Sequence, residues 1–500
     1  MGNFYRRTPG AQQAETFRRL RAYLRDVVEP YHPAFRKAGI DAGSIRTPDD
    51  FARIPVTTKA EFRADPTAYI LQPVFPGRTP LHETTPISRK LLARYAWNAA
   101  TSARLIDLFR KQSLRERASY RACREWLPIH FHVSSGSTGE PTPVAYTAWD
   151  LERIIPELAA STVVRTDPPQ VYDRWDHRLM NLFPGAPHLA FFQSVFTKLA
   201  ISGSSFETFG GKVIPTDRQI EIFSRGRFNS IGAVPSYAAH WMRRAVDLVE
   251  AGKIRPFGEA FEGMILGAEA LSDPMRRHLH ELAKRLGAHP RFTILQTYGS
   301  TETKWAGTEC CEESGIHLNP RYYFWELLHP ETKEPVAPGE PGVLVFTHVG
   351  WRGTVFVRYW TGDLVKGGML HERCPRCGCT FVTIRGPIAR ADKDFTKIRG
   401  TLVPLQELVT AIRDTAGVRN CQVVLDRPQE FGRDRMVVRL LPERGADGAA
   451  VAEAVRSRVR SVNEVTPDEV RIETDEAAFE SQLFARTGIK AEYVVDRRDA

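Results

Sequence analysis

The chain has 500 residues, 42% of them hydrophobic and 26% charged, with 69 Lys and Arg against 59 Asp and Glu for a net charge of +10. That length exceeds what one core usually organises, so a large and a small domain are expected. Apolar runs stop short of the roughly 20 residues a membrane helix needs and no apolar signal core follows Met1–Arg7, so no membrane association and a cytoplasmic location are expected. Arginine is spread along the chain rather than gathered into a run, which argues against nucleic acid and favours small polyanions as ligands.

Residues 11 to 38 carry Phe17, Leu20, Leu24, Val27, Val28 and Tyr31 at helical spacing, which predicts one amphipathic helix. In FARIPVTTKAEFR, from Phe51, a proline turn precedes Thr57 and Thr58, either suited to cap a following helix. The basic stretch 77 to 130 shows helical periodicity from about 89 to 125. A strand is predicted at Ile129 to Val133. The middle of the chain alternates strand and helix: FNSIGAVPSY, a helix from Ala238 to Ala251, FEGMILGAEAL, a helix from Asp273 to Gly287, then RFTILQTYGSTET. This is an α/β pattern that puts active-site loops at strand ends. β-rich segments follow Pro341. After about residue 394 comes a helix (405 to 414), strands at Cys421 to Leu425 and Met436 to Leu441, a helix (449 to 462) and a strand at Val470 to Ile472, which make a small α+β unit.

Ser134-Ser135-Gly136-Ser137-Thr138-Gly139-Glu140-Pro141-Thr142 follows the predicted strand at 129 to 133. Its glycines let backbone amides turn in on phosphate oxygens alongside Ser and Thr hydroxyls. It lacks the lysine of a Walker loop. Four further segments are Gly267-Ala268-Glu269, Tyr298-Gly299-Ser300-Thr301-Glu302, Arg358-Tyr359-Trp360-Thr361-Gly362-Asp363 and Arg486-Thr487-Gly488-Ile489-Lys490.

In this order the five segments resemble the phosphate loop, the GAE, YGxTE and RYxTGD segments and the terminal lysine segment of phenylacetate-CoA ligase-like enzymes, in the adenylate-forming superfamily. FARIPVTTKAEFR, VPSY at 234 to 237 and IRG at 398 to 400 extend the resemblance over nearly the whole chain. It implies an α/β fold: a large domain, 1–393, with α/β subdomains and a β-rich subdomain, and a small mobile α+β domain, 394–500, turning about a hinge at Asp394. It implies ATP-dependent conversion of a carboxylic acid, of aromatic kind, to its acyl-AMP, then transfer to CoA. Ser135, Ser137 and Thr138 would hold the β and γ phosphates, Tyr298 would lie against adenine, Asp363 would bind the ribose and Glu302 would hold Mg²⁺. Lys490 would bridge the carboxylate and the α-phosphate, offsetting the repulsion of two anions.

Three departures stand beside the matches. Glu140 occupies a usual lysine position, the hinge arginine is offset onto Arg390 with Ala391 in its place, and the 77 to 130 segment is longer than the family pattern. These keep open an amine, another nitrogen nucleophile or a carrier-protein thiol in place of CoA. A homodimer is also left open, as is a binding protein that has lost catalysis. Seven cysteines are present, and Cys310, Cys374 and Cys377 with His317 make a set of three thiolates and one imidazole suited to structural zinc, with Cys311 and Cys379 as spare ligands. Some relatives carry cysteines in corresponding places. Aromatic residues Tyr237 and Trp305, and less so Phe191 and Phe192, are candidates to line the acid pocket.

Overall fold

The computed structural model describes residues 3–29, 32–71, 89–101, 113–133, 142–163, 176–183, 185, 189–201, 203–211, 213–391, 395–398, 401–427, 434–463, 465–485 and 491–498. At its centre is a nine-stranded sheet. Five of its strands are parallel, in the spatial order Thr293–Tyr298, Gly263–Leu266, Ser230–Ala233, Arg178–Asn181, Ser204–Glu207. Antiparallel strands Gly307–Glu309, Ile316–Leu318, Val382–Ile384 and Met369–Leu370 continue it beyond Thr293–Tyr298. The Ser230–Ala233 strand is buried throughout, as expected for a parallel strand covered on both faces. Helices Thr216–Arg225, Pro235–Glu250 and Asp273–Arg285 pack there, with Phe223, Trp241, Met242, Phe261, Leu279 and Ile294 in one apolar core.

A second sheet, of Tyr323–Leu328, Gly342–His348, Tyr359–Val365 and Ile388–Arg390, is antiparallel throughout. It shares a core with the N-terminal helices around Phe51, Phe62, Phe346 and Phe356. Two segments of the family resemblance meet here. The Thr57 amide donates to Arg358 O at 2.8 Å and the Trp360 amide to Thr57 O at 2.9 Å. The Arg358 guanidinium pairs with Glu326 at 2.9 Å and donates to Ile54 O at 2.6 Å. FARIPVTTK and RYWTGD are therefore one structural piece, 300 residues apart in sequence.

The C-terminal unit has its own sheet, ordered Glu469–Ile472, Arg435–Pro442, Val418–Asp426, Val494–Asp496, with the central pair antiparallel and the outer pairs parallel. Leu405–Arg413 and Gly448–Asn463 cover it, closing a core of Leu408, Ile412, Val423, Val438 and Val455.

The single helix expected over 11 to 38 is corrected to two. Pro9–Tyr23 runs on as a wider turn, Leu24–Val28, and Pro33–Ala38 starts afresh with His32 as its cap. Proline has no amide to continue a helix but suits the first turn of a new one, which is where Pro33 sits. Of the two threonines, Thr58 caps Lys59–Ala64, in a reciprocal box with Glu61. The periodicity of 89 to 125 resolves into Arg89–Thr101 and Leu114–Trp126, packed together. Among the described residues no helix is long and apolar enough to cross a membrane.

Candidate functional site

The parallel strands end together, and the segments that follow them hold the candidate residues. After Gly263–Leu266 the chain turns through Gly267, where an added Cβ would lie 2.3 Å from Thr297 Oγ1, and Ala268, at a left-handed φ of 68°. The Glu269 carboxylate then accepts from the Ser236 amide at 3.2 Å and the Ser236 hydroxyl at 3.1 Å, capping the positive end of the neighbouring helix Pro235–Glu250. After Thr293–Tyr298 a tight turn is closed by the Ser300 amide donating to Thr303 Oγ1 at 2.9 Å. Gly299 is required in that turn, because a Cβ would sit 2.6 Å from that of Ala306. The Thr301 hydroxyl lies 3.4 Å from Val133 O, so the turn touches the strand end that leads into residues 134–139.

Two carboxylates face this region. Asp363 accepts from the Tyr298 hydroxyl at 2.7 Å and from Arg390 Nη1 at 2.6 Å. Arg390 stands directly across the strand pair from Asp363, and its guanidinium also donates to Thr361 O. Burial, with Asp363 beside it, pushes the Tyr298 phenol well above its ordinary range, so it acts as a donor. Glu302, almost wholly buried, accepts from the Tyr359 hydroxyl at 3.2 Å and pairs with Lys59 at 3.3 Å. Burial and then Glu302 raise the Tyr359 phenol, with Asp363 adding to the effect, so both carboxylates lie within its electrostatic reach. Lys59 was not singled out from sequence. The only signal was its place as the first residue of the helix that Thr58 caps.

Ser134, Ser135, Gly136, Ser137, Thr138, Gly139, Asp394 and Lys490 lie outside the described residues. The chain resumes after Lys490 with Ala491, buried in the same apolar cluster as Leu266, and Tyr493, whose phenol feels Arg413 and Glu269. The Arg413 guanidinium lies 4.6 Å from the Tyr493 ring centre. This part of the C-terminal unit therefore shares the large unit's apolar core, within electrostatic reach of Glu269.

The cysteine and histidine set is assembled. Ligand atoms of Cys310, His317, Cys374 and Cys377 all lie within 4.8 Å of one another, with Cys310 Sγ 3.9 Å from Cys374 Sγ and Cys377 Sγ 3.5 Å from His317 Nε2. A tetrahedral zinc with Zn–S near 2.3 Å requires sulfur separations of roughly 3.8 Å. His317 lies across the ladder from Thr383, whose hydroxyl meets Nδ1 at 3.0 Å and leaves Nε2 turned to the thiols. Cys379 is outside the set, and its sulfur accepts from the Phe381 amide at 3.3 Å.

Tyr237 is wholly buried, with its hydroxyl 3.1 Å from Gln219 Oε1 and its ring edge-on to Phe484 of the C-terminal unit. Trp305 is buried in the core around Phe51, Phe346 and Phe356, beside Ala306, whose amide and carbonyl are both met by the Gln193 side chain. Phe192 stacks on His130, 5.4 Å between ring centres, and Phe191 packs on Phe209.

Comparison with solved structures assigns the fold. 2-Hydroxyisobutyryl-CoA ligase in its postadenylation state, with an acyl-AMP bound, superposes over 99% of this chain and 92% of its own with a TM-score of 0.69 at 17% identity. The same enzyme with CoA in the thioesterification state gives 0.56 over 99% and 93%. The chain thus has the fold of an acid–CoA ligase. Within that class the chain is a homologue of the phenylacetate-CoA ligases. It is 28% identical to the one from Thermus thermophilus over 429 residues, 83% of this chain and 78% of that protein. It is also 28% identical to the one from Escherichia coli, over 48% of this chain and about half (51%) of that protein. No protein-family profile matches the chain.

Proposed function

We propose that the protein activates a carboxylic acid with ATP and passes the acyl group to CoA. The observation that carries this is the Tyr298–Asp363–Arg390 group, set beside Glu302 where the parallel strands end. A carboxylate held by two donors keeps lone pairs for two ribose hydroxyls. Tyr298, Gly267, Ala268 and Glu269 would border adenine, with Glu269 spent on the cap so that backbone faces the base. The 134–139 loop would cradle phosphates, with Gly299, Ser300 and Thr301 closing the site below it. Glu302 would hold Mg²⁺, which supplies charge neutralisation for the triphosphate. Lys490 would bridge the incoming carboxylate and the α-phosphate.

A carboxylate oxygen attacks the α-phosphorus as the bond to pyrophosphate breaks. The CoA thiolate then attacks the acyl carbon and AMP leaves. CoA is favoured over an amine or a carrier-protein thiol because the homologues named above are CoA ligases. The chain would divide into two domains at 393/394, a reading that the separate C-terminal core supports. Cys310, His317, Cys374 and Cys377 would bind structural zinc, tying the loop after 309 to the turn before 382. Tyr237 and Trp305 would act from behind the acid pocket. The enzyme would work in the cytoplasm, with ATP and CoA in supply.

The test is acid-dependent exchange of labelled pyrophosphate into ATP across aryl and alkyl acids. Exchange with at least one acid is expected, and none with any would remove the proposal.

A further inference from the structure

The C-terminal unit is bound to the large unit by a polar patch on one face of the helix Pro235–Glu250. Its Asp247 carboxylate takes a bidentate pair from Arg444, at 3.0 and 3.1 Å, and a second guanidinium, Arg419, at 3.5 Å. Arg444 and Arg419 are joined to each other through Glu476, also in the C-terminal unit. One turn or two earlier on the same helix, Arg243 lies 3.9 Å from Glu443 and His240 Nδ1 2.9 Å from Glu480. Burial opposes charge on Glu480, but His240, Arg419 and Arg243 outweigh it and hold the carboxyl below its ordinary value. Beneath these pairs Phe484 packs on Tyr237 and His240, and Phe479, Leu483 and Ala491 join the large unit's core.

We propose that Asp247 is a positioning residue: it latches the C-terminal unit onto the helix Pro235–Glu250 in the arrangement that serves adenylation. This rests on the function proposed above. With both units included, the chain superposes on 2-hydroxyisobutyryl-CoA ligase with a TM-score of 0.69 in the postadenylation state and 0.56 in the thioesterification state. The apolar contact, through Leu441, Phe479, Leu483, Phe484 and Ala491, is non-directional. The ionic contact is directional, because a planar carboxylate meets a planar guanidinium in one geometry. Asp247 is the large-unit end of that contact, and both arginines converge on it. Interfaces between units of one chain are generally weak, so one fully engaged carboxylate can set the balance between docked and undocked arrangements. A latch of this kind favours acyl-AMP formation and must release before CoA attack, so its loss should separate the two half-reactions.

The experiment has two arms, both on the full chain. In hydrogen exchange without substrate, Asp247→Asn and Arg444→Met should each raise exchange in Glu476–Phe484 while the strand Gly263–Leu266 stays as protected as in wild type. Asp247→Glu should restore most of the protection. Unchanged exchange in both variants overturns the latch, whatever the enzyme's substrate. In the second arm phenylacetate is the probe acid. Pyrophosphate exchange should fall about tenfold in both variants, within the range of a typical coupling between sites. CoA-dependent consumption of supplied phenylacetyl-adenylate should equal or exceed that of wild type. Equal losses in both half-reactions overturn the positioning role and leave Asp247 a plain fold contact. If wild type shows neither half-reaction with any acid or adenylate, the proposed function fails, and the exchange arm alone decides the latch.

Discussion

Lys304, two residues beyond Glu302 and at a left-handed φ of 62°, is wholly enclosed together with Asp150. The Lys304 ammonium lies 3.5 Å from Asp150, donates to Arg352 O at 3.0 Å and sits over the faces of Tyr146 and Trp351. Burial lowers it to about 8 against the pull of Asp150. Removing one partner of such a pair typically costs about 3–5 kcal/mol, so Lys304→Met should unfold at markedly lower urea, and adding Asp150→Asn should recover part of the loss. At Asp363 the loss falls on function instead. In the proposed site Asp363→Ala would remove a charged acceptor from two ribose hydroxyls, each such bond being worth roughly 1.5–3 kcal/mol, so pyrophosphate exchange should fall on the order of 100-fold or more. His32 supplies a pH dependence. Its Nδ1 accepts from the Ala34 amide and its Nε2 donates to Val355 O, so the ring is held neutral. Burial depresses it from 6.5 to about 4. The unfolded chain takes up this proton near 6.5 and the folded chain only near 4. Stability is therefore complete above the unfolded value and lost as pH falls through that window, by about 3 kcal/mol. In urea melts at pH 7 and 4.5, His32→Asn, which can keep the cap, should lose less stability on acidification than wild type. An identical acid loss in both would exclude His32 as the source.

At the scale of elements, what the sequence disclosed depended on whether backbone geometry or long-range pairing set the residue. Gly267 and Gly299 were legible through the family segments that contain them, and each sits where a Cβ would collide with Thr297 or Ala306. Arg390 was legible only with an offset, since its place across from Asp363 comes from strand register, which sequence does not print. Lys59 was missed because its partner Glu302 is far along the chain, and the pair forms only once FARIPVTTK lies along RYWTGD. The spread of arginine now has a structural reading. Arg276 with Glu309, Arg352 with Glu125 and Arg358 with Glu326 are buried pairs that join separate elements. Arg352 and Arg94 both converge on Glu125, which ties the long 77 to 130 segment to the core through its two helices. The cysteine set was legible in full because each of its two chain segments brings its ligands by short spacing. Wild type should purify with close to one zinc per chain by elemental analysis, and Cys374→Ser should lose the metal and melt several degrees lower. A metal-free wild type with the same melting temperature would remove the zinc proposal.

Across the whole molecule, the alternation of strands and helices from Ser230 to Tyr298 and the small α+β unit followed from hydrophobic periodicity with boundaries shifted by a few residues, whereas the helical stretches at 11 to 38 and 89 to 125 each divide in two. The docking of the two units did not follow. Asp247 and Arg444 are 197 residues apart, and neither belongs to a motif. The 134–139 loop and the 486–490 segment were the clearest marks in the sequence, and the structure reaches them through their flanks, at Val133 and Ala491. Their chemistry is what a direct assay reads. The full chain should be incubated with ATP, magnesium and a panel of aryl and alkyl acids, with and without CoA, and AMP, pyrophosphate and acyl-CoA followed together. The account predicts one acid class that gives acid-dependent pyrophosphate in both conditions, and AMP with stoichiometric acyl-CoA only when CoA is present. Steady AMP release without CoA would contradict transfer to CoA, and no acid-dependent pyrophosphate with any acid would contradict adenylation itself.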